Sequence, residues 1–343
     1  MEFNLNEMIR PHLVGVNSYQ TLRDSYIDKQ AVYLDANENP FGEFNRYPDG
    51  DPIQLKKKLA EINLAKTENL FLGNGSDELI DLTMRIFCEP AKDSILIMNP
   101  SFVMYQIYAK MNNLQVEKLE LNSDFELEKD WFLNTVSKSQ AKVLFLCSPN
   151  NPTGNSIADL EFYIQNFNGI VVVDEAYIEF SPEDSTVSLL NKYPNLIVLK
   201  TLSKAFGMAG LRIGIGLSSP EIASLFIQLK PPYNISSESQ KLALEKLNKV
   251  EEIENNISFI LEEKRKLKEG LDQINEVVKI YPSDANFFLV EFEDAQLIYQ
   301  KLLDKNILTS LRHPNLKNCL RISVGTAEEN SQLLKVLSEI NQS

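Results

Sequence analysis

Histidine and cysteine are scarce in this chain, and each scarcity closes off a class of chemistry. Only His12 and His313 occur among 343 residues. A histidine-rich metal site is thereby excluded, so no metal is expected, and a Ser-His-Asp triad is disfavoured. Cys88, Cys147 and Cys319 are an odd number, far apart and without a CxxC pair. They read as free thiols of a reducing compartment. Positive charge is short as well, with 34 Lys and Arg against 48 Asp and Glu and a net charge of -14. Such a field repels polyanions and argues against nucleic acid or an anionic membrane as partner. No apolar run reaches membrane-spanning length, and Met1 to Glu7 lack the basic and apolar regions of a secretory signal. A soluble, cytoplasmic protein is expected. A small anionic substrate stays open, provided Arg and Lys cluster locally.

What is present is an ordinary globular composition, 43% hydrophobic and 24% charged, which separates the chain from disordered ones. The length exceeds what one core usually serves, so two domains are expected. Short, nearly continuous apolar runs at 94–98, 143–147, 170–173 and 196–199 suit strands buried on both faces of a parallel sheet. Helix-like stretches at 76–87, 102–111 and 157–166 alternate with them, the pattern of a doubly wound α/β fold. The charged segment 237–274 reads as one helix or two in succession. A smaller pattern follows, with strands near 277–281, 287–292 and 320–324, a helix near 295–303 and a final helix. The expected division is an N-terminal arm over 1–30, a large domain over 31–245 and a smaller α+β domain over 246–343.

Ligands of open α/β sheets bind beyond the carboxyl ends of the strands, and three such ends carry polar residues. Cys147 runs into Ser148-Pro149-Asn150-Asn151-Pro152-Thr153-Gly154. Val173 is followed by Asp174-Glu175-Ala176-Tyr177. Leu199 leads to Thr201-Leu202-Ser203-Lys204-Ala205-Phe206-Gly207. A glycine turn, Gly73-Asn74-Gly75-Ser76-Asp77-Glu78, opens a helix. Its free N–H groups suit a phosphate, although a plain capped helix would look the same and Asp77 counts against an anion unless its carboxylate turns away. Lys204, partly buried, would have a depressed pKa and become a usable amine nucleophile; a surface lysine is the bland alternative. Arg212 could supply a fixed positive charge to a phosphate. Asp174 ends an apolar strand, where a lone carboxylate is costly, and so calls for a cation such as a protonated pyridine nitrogen. Tyr177 and Asn151 could then hydrogen-bond the oxygen of the same ring.

Asn151-Pro152-Thr153-Gly154, Asp174-Glu175-Ala176-Tyr177 and the segment from Thr201 to Gly207, in that order, resemble fold-type I aminotransferases. Leu34-Asp35-Ala36-Asn37-Glu38-Asn39-Pro40-Phe41-Gly42, Asn45-Arg46-Tyr47-Pro48-Asp49, Tyr19-Gln20 and the segment from Leu320 to Thr326 are similar to the histidinol-phosphate aminotransferases among them. The resemblance implies a mostly parallel central sheet with a smaller C-terminal α+β domain, and pyridoxal 5'-phosphate as cofactor. It implies that Lys204 holds the cofactor and shuttles the substrate proton while Asp174 keeps the pyridine nitrogen protonated. Tyr177 and Asn151 would contact the ring oxygen. Tyr105 would stack on the ring, the alternative being a helix-core residue. Gly75, Ser76 and Asp77 through their N–H groups, with Ser203 and Arg212, would hold the cofactor phosphate. Tyr47 would reach that phosphate from a neighbouring subunit of a homodimer.

The implied substrates are L-histidinol phosphate and 2-oxoglutarate, with imidazole-acetol phosphate and glutamate as products. Arg321, helped by Asn151 and Tyr19, would bind phosphate and carboxylate in turn. The family's further arginine upstream falls here near Ser310, with Arg312 two residues later, either replacing it or standing on a solvated loop. Three rival readings remain: an aromatic amino acid aminotransferase, a threonine-phosphate decarboxylase, and a binding protein without activity. Retention of Lys204 argues against the last.

Overall fold

The computed structural model describes residues 3–16, 23, 32–312 and 314–340. Seven strands form the main sheet: β1 (Leu70–Asn74), β2 (Ser94–Asn99), β3 (Gln115–Glu120), β4 (Val143–Cys147), β5 (Ile170–Asp174), β6 (Leu196–Thr201) and β7 (Ile213–Ser218), in the order β1-β7-β6-β5-β4-β2-β3. β7 runs antiparallel to β1 and β6, and the other pairings are parallel. The four apolar runs read from the sequence are β2, β4, β5 and β6, each extended by at most two residues. β4 and β5 are buried at every position, as expected for strands covered by helices on both faces.

Three strands escape the pattern, two of them for evident physical reasons. β3 is a sheet edge with mostly exposed or half-buried side chains, and its sequence Gln-Val-Glu-Lys-Leu-Glu has no continuous apolar run. β7 carries Gly214 and Gly216, which weaken strand propensity. The reason for Gly214 lies across the sheet: a Cβ there would meet the Gly75 backbone at 2.3 Å. The remaining omission is β1, the partner of β7.

Helix Ser76–Phe87 has the bounds read from its periodicity, whereas the next begins at Met104 instead of residue 102. The charged segment is two helices, Ser237–Leu247 and Val250–Leu271. The expected division between 245 and 246 thus falls inside the first of them. A second, antiparallel sheet follows, with β8 (Val277–Ile280), β9 (Phe287–Phe292), β10 (Ser310–Leu311) and β11 (Cys319–Ser323) in the order β10-β11-β9-β8. It has its own core, including Leu267, Phe292, Leu302 and Leu337. A small cluster of Ala176, Tyr177, Phe180, Ala205, Ala285 and Phe287 packs residues following β5 and β6 against β9. Among the described residues no helix is long and apolar enough to cross a membrane.

Candidate active site

β1 and β6 both run antiparallel to β7, so they point the same way, and β4 and β5 run parallel to β6. The carboxyl ends of all four therefore share one edge of the sheet. Cys147 and Asp174 are direct partners, and so are Asp174 and Leu199. This register brings the segments after β4, β5 and β6 side by side, with Asp174 in the middle.

Asp174 is buried, and burial lifts its carboxyl above the usual range. Two donors work in the opposite direction: the Tyr105 hydroxyl at 2.7 Å from Oδ2 and the Ala176 N–H at 3.2 Å from Oδ1. Lys204 stands near Asp174, with Nζ 5.5 Å from the centre of the Tyr177 ring and its charge acting on that carboxylate. The residue is solvent-accessible, but the protein packed around its ammonium, followed by the charge of Arg321, pulls its pKa down. Burial raises the Tyr177 phenol, whose ring lies edge-on to Phe287 at 5.2 Å. A lysine whose ammonium form is disfavoured thus stands near a buried aspartate that calls for a cation.

Stacking by Tyr105 is corrected. Its ring is fully buried, stacked on Phe145 at 4.8 Å, and its hydroxyl is committed to Asp174. Phe102, half-buried and edge-on to Tyr105 at 5.6 Å, is the neighbouring ring with surface still free. The sequence offered both aromatics after Pro100, and the resemblance pointed to Tyr105, whose alternative as a helix-core residue is the one the structure supports.

The phosphate cradle also changes in one detail. The Gly75 N–H donates to the Arg212 carbonyl at 2.9 Å, so it is not a free donor. Gly75 instead supplies room: at φ +76°, a Cβ would lie 2.3 Å from Arg212 Nη2. The first-turn N–H groups of Ser76 and Asp77 remain, at the start of a twelve-residue helix. Arg212 Nη2 lies 3.5 Å from Asp77 Oδ2, so that carboxylate does face the cradle's arginine. Ser203 is tied to Thr201, whose Oγ1 accepts its N–H at 3.1 Å and donates to its Oγ at 3.0 Å.

The second sheet supplies the opposite wall. Arg321 on β11 donates through Nη1 to Asn151 Oδ1 at 2.5 Å, and its guanidinium carbon lies 5.3 Å from the Phe287 ring centre. Ser310 is its register partner on β10. Arg312 follows at the same strand parity and is half-buried, with Nη1 3.2 Å from Ser310 Oγ. Burial and the charge of Arg321 lower its pKa. It therefore stands with Arg321 and not out in solvent. Tyr47 is 51% exposed and stacks on Tyr233 at 4.7 Å, while its N–H donates to Glu38. Tyr19 lies outside the described residues.

A family model described as aminotransferase class I and II matches residues 12–337. The chain is 42% identical over 346 residues to a histidinol-phosphate aminotransferase of Christiangramia forsetii, covering 99% of each. The crystal structure of the Clostridium acetobutylicum histidinol-phosphate aminotransferase is similar with a TM-score of 0.79 at 25% identity, covering 87% of this chain and 91% of that one. That of the Sinorhizobium meliloti histidinol-phosphate aminotransferase, in complex with pyridoxal-5'-phosphate, has a TM-score of 0.80 at 24% identity, covering 88% and 84%.

Proposed function

We propose that this chain, which belongs to the class I and II aminotransferase family, transfers an amino group between L-histidinol phosphate and 2-oxoglutarate, giving imidazole-acetol phosphate and glutamate in histidine biosynthesis. The observation that carries this reading is the convergence of Lys204, Asp174 and Tyr177 from the large sheet with Arg321 and Arg312 from the small one.

The residues fit pyridoxal phosphate. Gly75 leaves a space beside the Arg212 guanidinium that any side chain would fill, at the start of a helix whose N–H groups favour an anion. Asp174 spends one bond on each oxygen and keeps lone pairs for a pyridine N–H. When bound, the cofactor supplies an electron sink for the carbon that loses its proton. Lys204 would hold it and, once released, carry that proton at Nζ. Tyr177 would face the ring oxygen, together with Asn151, whose amide Arg321 orients. Phe102 would cover one ring face. Ser76, Asp77, Ser203 and Arg212 would grip the phosphate.

Arg321 is placed to bind the substrate's anionic end, phosphate or carboxylate in turn, because a guanidinium fork suits both. Arg312 would add the second charge that a phosphate needs. Its partner among the described residues is the neutral Ser310 hydroxyl, which leaves its charge to a ligand. Tyr47, exposed and anchored through its N–H to Glu38, would reach a neighbouring subunit's phosphate site in a homodimer acting in the cytoplasm. Ser310, uncharged and in register with Arg321, favours one second reading, an aromatic amino acid as donor.

A half-reaction separates the two. The cofactor-loaded protein receives L-histidinol phosphate, L-phenylalanine or L-threonine phosphate singly, and the visible absorbance of bound cofactor is followed. Fast bleaching by histidinol phosphate alone is expected. Faster bleaching by phenylalanine would replace the reading, as would release of carbon dioxide from threonine phosphate. Lys204→Ala should abolish turnover, and near-normal turnover in it would overturn the role of that lysine.

A further inference from the structure

Asp174 is surrounded by groups that mostly oppose its charge. Burial is the leading one. Asp77, in the first turn of helix Ser76–Phe87, adds a like charge. Cys147, its register partner on β4, is a buried thiol raised far above its ordinary value and contributes no cation. The phenol of Tyr177 is likewise held up and neutral. Among the described residues, Lys204 is the foremost positive charge acting on Asp174, and the cofactor would engage it. The work of keeping Asp174 ionised therefore falls on hydrogen bonds, and the Tyr105 hydroxyl at 2.7 Å is ahead of the Ala176 N–H at 3.2 Å.

Tyr105 is built to be a permanent donor. Burial, followed by the adjacent Asp174, holds its phenol well above the ordinary tyrosine range, so it keeps its proton wherever the protein works. Phe145 lies against one face of the ring and Phe102 meets it edge-on, which aims the hydroxyl. A phenol that cannot ionise, held by two aromatic rings against a carboxylate, stabilises the charged form of that carboxylate.

We infer that Tyr105 is a positioning residue that acts through Asp174, keeping its carboxylate ionised and aimed so that the pyridine nitrogen of a bound cofactor stays protonated. This rests on the proposed use of pyridoxal phosphate, and it changes Tyr105 from a ring-stacking residue into a determinant of cofactor affinity.

The experiment is a thermodynamic cycle read by cofactor binding, not turnover. Full-length apoprotein is titrated with pyridoxal phosphate from pH 6 to 9, comparing wild type, Tyr105→Phe, Asp174→Asn and the double variant. Tyr105→Phe retains the ring and its packing. Its affinity should fall about tenfold or more, as expected for loss of a bond to a charged group. The deficit should widen as pH falls, because Asp174 then takes up a proton at higher pH than in wild type. With Asp174→Asn already present, the added Tyr105→Phe should change affinity by less than about twofold if it acts through that carboxylate. Equal losses in both backgrounds, or wild-type affinity in Tyr105→Phe at every pH, would overturn the inference while leaving the cofactor assignment intact. Failure of wild type to take up pyridoxal phosphate would instead remove the proposed function, and the inference with it. A Tyr105→Phe chain that does not fold, shown by far-UV circular dichroism, would assign the hydroxyl to stability and also overturn it.

Discussion

Arg321 donates to the side-chain oxygen of Asn151 across 170 residues of sequence, tying β11 of the small sheet to the loop after β4 of the large one. The bond fixes the amide so that its NH₂ faces away from the arginine. Among the described residues this is the hydrogen bond that the Arg321 guanidinium makes. Cutting it would disturb both halves of a two-substrate cycle.

Arg321→Ala is therefore expected to impair the half-reactions with histidinol phosphate and with glutamate alike. Arg312→Ala should act on the phosphorylated donor alone. Loss of a hydrogen bond to a charged group costs about 1.5–3 kcal/mol, or roughly 10–150-fold in kcat/KM. Separate half-reaction kinetics check the contrast. Equal losses for both donors in Arg312→Ala would remove its assignment to the phosphate.

Gly75→Ala places a methyl 2.3 Å from Arg212 Nη2, at a backbone φ of +76°. Strain of about 1–2 kcal/mol and displacement of the guanidinium should together weaken pyridoxal phosphate binding by more than about tenfold. Equilibrium titration of the apoprotein measures this. Unchanged affinity would move the phosphate elsewhere.

Asp174→Asn should trade function for stability. Burial raises the Asp174 carboxyl, so folding favours its protonated form. Its stabilising contribution is complete below the ordinary carboxylate value and is lost as pH rises through the raised folded value. The uncharged amide avoids that loss. Apo Asp174→Asn should therefore melt above wild type at pH 8, with the gap closing toward pH 4. Cofactor affinity should drop at the same time. Thermal scans of the apoproteins at both pH values decide it; a gap that widens toward acid would contradict the sign.

Tyr47 provides the test of subunit sharing. Tyr47→Phe and Lys204→Ala chains, denatured together and refolded as mixed dimers, should recover activity above the sum of the separate preparations. In such a dimer one site receives Lys204 from one chain and Tyr47 from the other. No recovery, with mixed dimers demonstrated by mass spectrometry, would confine Tyr47 to its own subunit.

Much of this was legible before folding. The apolar runs at β2, β4, β5 and β6 announce themselves because strands buried on both faces need no alternation. The motifs around Asn151, Asp174 and Lys204 stand just beyond strand ends, where backbone N–H groups and side chains turn toward a ligand. The choice of Phe102 over Tyr105 and the spent N–H of Gly75 were not legible. The first requires knowing which of two nearby aromatics the core consumes, and the second requires the antiparallel pairing of β1 with β7.

The sequence by itself determined the kind of protein: an acidic α/β chain, poor in histidine, with a lysine, an aspartate and a tyrosine at successive strand ends. These depend on local composition and order, which are written in the chain. Tertiary structure alone decided which atoms meet. It turned Tyr105 toward Asp174, set Arg212 against Gly75, and placed Arg312 on the same strand face as Ser310, opposite Arg321. Each of these is a contact between segments distant in sequence or a choice of side-chain face. Packing settles the first two, and strand register the third, because a one-residue slip of β10 would turn Ser310 away from Arg321.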